Sequence, residues 1–273
     1  MFHIRSKSKP GVKMLVKLTP KEAFNIPVEA EIIKPDNFAG KGKSEIESII
    51  VWHGNKEVML GSLFDVEVEG VDDKDKKKIK ILIEGDASRI KRIGERMTSG
   101  EIVINGSVDM HCGALMSGGK IIINGDADAW AGREMRGGEI VVEGNAGNYL
   151  GAGYWGAEKG MRGGLVRVKG SAGNYVGEHM RGGEIIIGGS VGLLPGLNMS
   201  GGKITIEGDA VLPGGEMKSG TLVVKGKVLE MLPSFRFEGT EVLDSIELKK
   251  FTGDLTRGGS GTLYVNSIPE ESR

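Results

Sequence analysis

The residues able to do chemistry are few and scattered. His3, His53, His111 and His179 occupy unrelated places in the chain, and only His111 adjoins the single cysteine, Cys112. Neighbouring residues of a strand point to opposite faces, so a nucleophile–base dyad at 111–112 is not expected. No C-x-x-C or H-E-x-x-H spacing occurs, which leaves a zinc site without support. The segment "GAGYWG" satisfies G-x-G-x-x-G with Gly151, Gly153 and Gly156. No helical pattern follows it, however, no acidic residue stands at the expected distance, and Tyr154–Trp155 would crowd a pyrophosphate. No catalytic, cofactor-binding or metal-binding residue is assigned on this chain.

The same residue types make more sense as members of a repeat. Methionine recurs at Met97, Met116, Met135, Met161, Met180, Met199 and Met217, in steps of 19, 19, 26, 19, 19 and 18 residues. Glycine follows each of them at three and at nine residues, and Ile, Val or Leu at five and seven. The unit is G-x-x-M-x-x-G-x-[IL]-x-[IV]-x-G, with copies at 94–106, 113–125, 132–144, 158–170, 177–189, 196–208 and 214–226. The fourth copy departs, with Glu158 at its first position and Val166 at its ninth. A methionine column can offer thioethers to copper, but as flexible core filler it needs no metal.

A period near 19 with short alternating strands predicts an all-β solenoid: a parallel, right-handed β-helix of about seven to eight coils. Glycine belongs at its corners, where φ is positive or backbones approach closely. Strand parity points the pair at Met+5 and Met+7 inward and Glu101, Lys120, Glu139, Glu184 and Lys203 outward. Fourteen residues after each methionine runs a second column: His111, Trp130, Tyr149, Tyr175, Leu194 and Pro213. It reads as a stabilising ladder or as a platform for ligand stacking. Asp109 and Asp128 share one position of consecutive coils; they can face water or hold a cation.

Two features suit a partner. Position Met+6 should face solvent, yet Val103, Ile122, Val141, Ile186 and Val223 stand there beside Arg167 and Thr205. This apolar stripe reads as a docking face for another subunit; the competing explanation is the plain strand preference of β-branched residues. The 26-residue step adds seven residues after Gly151, which must bulge from a corner as a loop presenting Tyr154 and Trp155 to a partner.

Composition limits the rest. Glycine supplies 46 of 273 residues, far above the usual share of about 7%, and the repeat accounts for the excess. A net charge of −1 gives no field to attract nucleic acid. No apolar run is long enough for membrane insertion. The basic start lacks the marks of a signal peptide, and one cysteine suits a reducing cytoplasm. Residues 1–78 read as a strand-rich capping segment, 79–240 as the repeat domain and 241–273 as a C-terminal cap. Within the first, "SEIESIIVW" reads as a short helix passing into a strand, and "DDKDKKK" as a solvated hairpin or linker. "IKILIEGDA" reads as a degenerate first coil. The stretch "FTGDLTRGGSGTLYV" echoes the repeat through Arg257-Gly258-Gly259 without its methionine.

The array "MRGGEIVVEGNAGNYLG" resembles the glycine-patterned β-helix domain at the C-terminal end of the glutamate synthase large subunit. With "VKGSAGNYVGEHMRGGEIII", "IPVEAEIIKPDNFAGK", "VWHGN" and "FTGDLTRGGSGTLYV", nearly the whole chain resembles the C subunit of formylmethanofuran dehydrogenase. That resemblance implies a cytoplasmic archaeal complex for methanogenesis, which reversibly reduces CO2 with methanofuran to N-formylmethanofuran using low-potential electrons. It implies partner subunits that carry a tungsten or molybdenum pterin, [4Fe-4S] clusters and the binuclear metal site of an amidohydrolase-like subunit, with a polyferredoxin. It supplies no catalytic residue for this chain, which reads as a non-catalytic scaffold. A related subunit serves in the formyltransferase/hydrolase complex of methylotrophic bacteria, which remains an alternative. So does a β-helix enzyme of the polysaccharide-processing kind, which calls for clustered acidic residues that the chain lacks.

Overall fold

The computed structural model describes residues 11–70 and 74–268. The first ten residues with His3, the start of the charged run at 71–73, and 269–273 lie outside the described residues. Among the described residues, eighteen strands, three short α-helices and two 3-10 turns make up the element order. The N-terminal part holds β1 (Met14–Pro20), β2 (Val28–Glu29), α1 (Pro35–Phe38), α2 (Lys43–Glu47), β3 (Ile50–His53), β4 (Lys56–Met59), α3 (Leu60–Leu63) and β5 (Phe64–Gly70). "SEIESIIVW" does pass from helix into strand. The last three lysines of the charged run form a single 3-10 turn, Lys76–Lys78, capped by Asp75, which accepts from the Lys77 N–H.

From there the repeat takes over: β6 (Ile79–Glu84), β7 (Ile90–Lys91), β8 (Glu101–Asn105), β9 (Ser117–Ile123), β10 (Arg136–Val142), β11 (Arg162–Val168), β12 (Arg181–Ile187), β13 (Ser200–Ile206), β14 (Ala210–Val211) and β15 (Ser219–Glu230). The chain ends with β16 (Arg236–Leu243), β17 (Ile246–Gly253) and β18 (Gly261–Ser267). One 14-stranded sheet holds most of these, in the order β16-β17-β18-β15-β13-β12-β11-β10-β9-β8-β6-β1-β5, with β14 beside β15. A second sheet has the order β4-β3-β2-β7.

Through the repeats the pairing is parallel and advances by one repeat per strand. Ile121 lies beside Ile140, Ile140 beside Val166, Val166 beside Ile185 and Ile185 beside Ile204. Two further tie lines fall outside the long strands. Ala87, Val108, Ala127, Ala146, Ala172 and Val191 bridge one another in parallel succession. At Met+16, the N–H groups of Gly113, Gly132, Gly151, Gly177 and Gly196 donate to Ile93, Cys112, Ala131, Leu150 and Val176. Each repeat is thus bonded to the next along three lines, and the residues of all three join one buried core.

The inward assignments hold. Every methionine of the column is fully buried, as are Ile121, Ile123, Ile185 and Ile187; each such aliphatic side chain contributes about 1.5–3 kcal/mol by leaving water. The methionines do more than fill space. A Cβ built on Gly138 would lie 2.7 Å from Met116 Cε and 2.8 Å from the Gly119 carbonyl oxygen, and Gly138 has φ +88°. The thioether of one rung therefore fills the space left by the glycine of the next. That glycine is not at a corner as expected: it belongs to a strand, where the β9–β10 register shifts between Gly137 and Glu139. The column at Met+9 meets the other glycine requirement, since a Cβ on Gly144 would lie 2.9 Å from the Gly125 oxygen.

A recurring polar position adds a ladder that the sequence reading missed. Ser107, Asp126, Asn145, Ser171 and Ser190 each accept, through the side chain, the backbone N–H of the equivalent residue one rung on. Each such bond contributes about 0.5–1.5 kcal/mol.

Both ends of the parallel stack carry antiparallel strands, β5 against β1 and the β16–β17 hairpin against β18. The C-terminal echo of the repeat sits differently from expectation. Thr221 pairs with Thr262 and Leu222 with Leu263, so Gly261 follows Gly220 in register. An added Cβ at Gly261 would meet Met217 Sδ at 2.6 Å, whereas Gly258 and Gly259 lie in the preceding turn. The expected boundary at 240 falls inside β16. No helix of the described residues is long and apolar enough to cross a membrane.

Gly138→Ala is expected to destabilise the protein by about 2 kcal/mol or more, since it combines positive-φ strain with a backbone clash. Gly156→Asn, where φ is +80° and nothing lies within 4 Å of the added Cβ, should be nearly neutral. Urea midpoints of the two variants check this; equal losses would contradict the fit between methionine and glycine.

Candidate functional site

Along one corner the backbone is left-handed at every rung. Arg92, His111, Trp130, Tyr149, Tyr175, Leu194 and Leu212 all have φ between 50° and 66°. Such a conformation costs a residue with a side chain about 1–2 kcal/mol. It is held by a rung-to-rung bond at each level: the N–H of His111 donates to Ala129, that of Trp130 to Asn148 and that of Tyr149 to Asn174. Leu212, rather than the expected Pro213, is the last member, because the final step of the repeat is one residue shorter. Arg92, which no aromatic pattern marks, is the first.

The turn sends these side chains outward and stacks them. His111 and Trp130 have ring centroids 5.4 Å apart, Trp130 and Tyr149 4.8 Å, and Tyr149 and Tyr175 5.0 Å, with interplanar angles of 25°, 4° and 13°. Cys112, next to His111, points the other way into the core, where burial pushes its thiol up to about 12. The two form no dyad. His53 is far off along the chain on β3, edge-on to Phe24 at 5.9 Å. His179 occupies a different corner with φ 58°.

The seven-residue insertion folds back onto this ladder. Gly151, not Glu158, holds the first position of the fourth repeat: its φ is +66° and an added Cβ would meet Ile185 Cδ1 at 2.6 Å. The corner reopens at Met161, whose N–H donates to the Gly151 carbonyl. Between them, Tyr154 packs against His111 at 5.6 Å and Trp130 at 5.8 Å, and Trp155 stands edge-on to Trp130 at 5.4 Å. The Arg133 guanidinium sits 5.0 Å from the Tyr154 ring centroid. Trp155 is 70% exposed and Tyr154 43%, so the pair forms an aromatic knob over the ladder.

Beside the knob is a cleft of about 270 Å³ lined by Glu29, Lys91, Arg92, His111, Arg133 and Tyr154. The small sheet supplies one wall, since Glu29 of β2 pairs with Lys91 of β7. Arg92 Nε donates to Glu95 at 2.5 Å. Burial raises the Glu95 pKa, but Arg92, with Arg133 and Arg96, outweighs it and holds the carboxyl below the usual range. His111 is lowered to about 4, first by burial and then by the charge of Arg133. Three buried polar atoms here have no hydrogen-bond partner: His111 Nδ1, Trp130 Nε1 and Arg133 Nε.

The stripe at Met+6 differs from expectation at its ends. Val103 and Val223 are buried within the chain, at 9% and 4% exposure, as is Thr205. Val223 is covered where the C-terminal hairpin comes across, in a cleft shared with Leu243, Asp244 and Tyr264. Ile122, Val141 and Ile186 remain half-buried at the surface and Arg167 is exposed. Paired charges flank them, among them Lys120–Glu139 at 2.8 Å and Lys203–Glu184 at 3.8 Å. Asp109 and Asp128 each accept the next residue's N–H. Among the described residues no group of three His, Cys, Asp or Glu side chains is placed to hold a metal ion.

No family model matches the chain. Known relatives do. The C subunit of the tungsten-containing formylmethanofuran dehydrogenase 2 of Methanococcus maripaludis is 47% identical over 260 residues, covering 93% of both chains. Its namesake from Methanothermobacter wolfeii is 50% identical over 97 residues, 36% of this chain and 35% of its own. The C subunit of the molybdenum-containing formylmethanofuran dehydrogenase 1 of Methanosarcina barkeri is 48% identical over 96 residues, 35% of this chain and 31% of its own. The matched segment thus spans only about a third of these last two relatives. Among solved structures, a chain in the X-ray crystal structure of the formyltransferase/hydrolase complex (FhcABCD) from Methylorubrum extorquens, in complex with methylofuran, superposes with a TM-score of 0.83 at 28% identity. It covers 91% of this chain and 98% of that one.

The fold and these comparisons define a class, mostly β chains of stacked glycine–methionine repeats, whose relative of matching length is named as a subunit of a dehydrogenase. More narrowly, the chain belongs to the family of formylmethanofuran dehydrogenase C subunits, a name borne in both tungsten- and molybdenum-containing enzymes.

His111 carries a testable consequence. Its folded-state pKa lies below the ordinary histidine value, so the unfolded chain takes up the proton first as pH falls. Stability should therefore decline as the pH drops from about 6.5 toward about 4. His111→Gln should flatten that part of the decline, read as the difference between wild-type and variant urea midpoints at each pH. Parallel curves would show that His111 is not held neutral.

Proposed function

We propose that this chain is a non-catalytic structural subunit of a formylmethanofuran dehydrogenase complex, which reversibly reduces CO2 with methanofuran to N-formylmethanofuran using low-potential electrons. The observation that carries the reading is the relative in Methanococcus maripaludis, whose kinship runs through the repeats and both flanks. In this reading residues 79–240 wind as a right-handed parallel β-helix between an N-terminal segment, 1–78, and a C-terminal cap, 241–273. One-repeat register along three lines supports such a winding. The redox and hydrolytic groups then belong to other subunits: a tungsten or molybdenum pterin, [4Fe-4S] clusters, and a binuclear metal centre in an amidohydrolase-like partner, with a polyferredoxin supplying electrons. In this reading the complex works in the cytoplasm.

Docking is assigned to the half-buried Ile122, Val141 and Ile186 and to the knob of Tyr154 and Trp155. An apolar stripe between charged rows resembles an interface core within a polar rim, and exposed Trp and Tyr are the usual anchors of such contacts. A second reading, the same scaffold in a formyltransferase/hydrolase complex, is favoured by the close superposition on a chain of that assembly. Metal analysis separates the two, because only the dehydrogenase reading calls for tungsten or molybdenum.

Gentle purification of the native protein, followed by mass spectrometry and metal analysis, should return a multi-subunit complex holding one of those metals. A lone metal-free monomer with its own turnover would end the scaffold reading. Ile122→Glu with Ile186→Glu should release a partner subunit on gel filtration, and Trp155→Ala should weaken assembly about tenfold or more. Full assembly of both variants would remove these surfaces from the interface.

A further inference from the structure

The cleft beside the aromatic ladder has no part in the scaffold role. Three cationic side chains, Lys91, Arg92 and Arg133, line it against a single carboxylate, Glu29. Two more acids sit behind the walls and engage the arginines. Glu95 takes Arg92 through Nε and Nη2, and Glu134 takes Arg133 through Nη1 at 2.8 Å. Arg133 Nε is left without a partner although it is shut off from water, and so is His111 Nδ1 in the adjoining wall. A further donor without a partner, Trp130 Nε1, belongs to the ring stacked on His111, and Trp130 is only 8% exposed; His111 Nδ1 donates or accepts according to its tautomer.

An unmet buried donor costs about 1–3 kcal/mol. Arg133 Nε carries its proton in every state of the side chain, so its lack of a partner in the cleft wall points to a missing acceptor. The Nε side of a guanidinium is one of the edges with which arginine grips a carboxylate through two parallel bonds. The rest of the cleft suits a flat organic body, because His111 and Tyr154 present rings rather than chains. Glu29 in the wall disfavours a doubly charged phosphate.

We propose that this cleft binds a carboxylate group carried on a flat organic body, with Arg133 Nε donating to the carboxylate and the body lying against His111 and Tyr154. The carboxylate comes either from a free planar organic acid, or from an Asp or Glu of a neighbouring subunit delivered beside a planar side chain of that subunit. The Tyr154 ring, which contacts both Arg133 and His111, has to move aside for the carboxylate to reach Nε. The site does not depend on the scaffold reading and survives its failure.

The test uses the full chain with isotope-labelled histidine, the His111 resonance being assigned through His111→Gln. The charges that face this ring are Arg133, Arg92, Lys91 and Glu95, and the arrival of an anion among them should raise the His111 pKa by about one unit or more. Benzoate should produce that rise and shift the imidazole nitrogen signals. Benzamide, of the same shape without the charge, should not, and inorganic phosphate should act more weakly than benzoate. Arg133→Lys should weaken benzoate about tenfold, by losing the paired bonds while keeping the charge. The intact complex then distinguishes the two sources. If a neighbouring subunit's acid fills the cleft, His111 already titrates higher there and benzoate has no effect; if the ligand is a free acid, the complex still responds to benzoate. Equal responses to benzoate and benzamide, a stronger response to phosphate than to benzoate, or an unmoved His111 in both chain and complex would overturn the proposal.

Discussion

The structure depends on one constraint: the parallel hydrogen-bonded register advances by one repeat from strand to strand. Once Ile121 is fixed beside Ile140 and Ile140 beside Val166, every other position of the repeat must lie near its counterpart. Side chains then form columns whether or not any pair is individually favourable. A column of isoleucines becomes core, a column of small residues becomes a close backbone approach, and a column of Ser, Asp and Asn becomes a line of caps for the next rung. A misfit in such a fold is not local, because the same contact recurs at each level. This explains the coupling between Met116 and Gly138: the methionine end group needs the missing side chain of the next rung, and the glycine needs something pliable to fill the space.

The same register bears on function. Holding a tryptophan, two tyrosines and a histidine in left-handed conformations is unfavourable at each residue, yet backbone bonds to the next rung impose the turn. The outward stack is the result, and it offers a rigid apolar surface on which the seven-residue insertion settles. The insertion supplies what the regular stack cannot, an exposed Trp–Tyr knob and one wall of a charged cleft. The small sheet supplies the opposite wall, so the cleft arises where two irregular features meet the regular array. Flanking strands change the surface in another way. The C-terminal hairpin covers Val223 and confines the apolar stripe to its middle.

The sequence made much of this legible. The methionine and glycine columns, the inward Ile and Val pairs, the outward charges, the aromatic column and the position of the insertion were all readable, because a repeat converts sequence spacing directly into spatial neighbourhood. The polar column headed by Ser107 and Asp126 was equally present as a pattern and went unread. Arg92 carried no such mark: its membership in the aromatic column shows only in its backbone. Arg133 and Glu95 carried none either, since nothing in their spacing ties them to Glu29 or Tyr154.

What the sequence by itself determined is therefore the periodic part: which residues turn inward, which stack, and where the chain departs from its period. Tertiary structure alone decided that Gly151 rather than Glu158 begins the fourth repeat, that Val103 and Val223 are covered, and that a basic cleft forms beside His111. The physical reason is the range of the interactions. Register is set by backbone bonds that repeat at a fixed spacing, whereas the cleft and the covered ends come from single contacts between distant segments, which no period records.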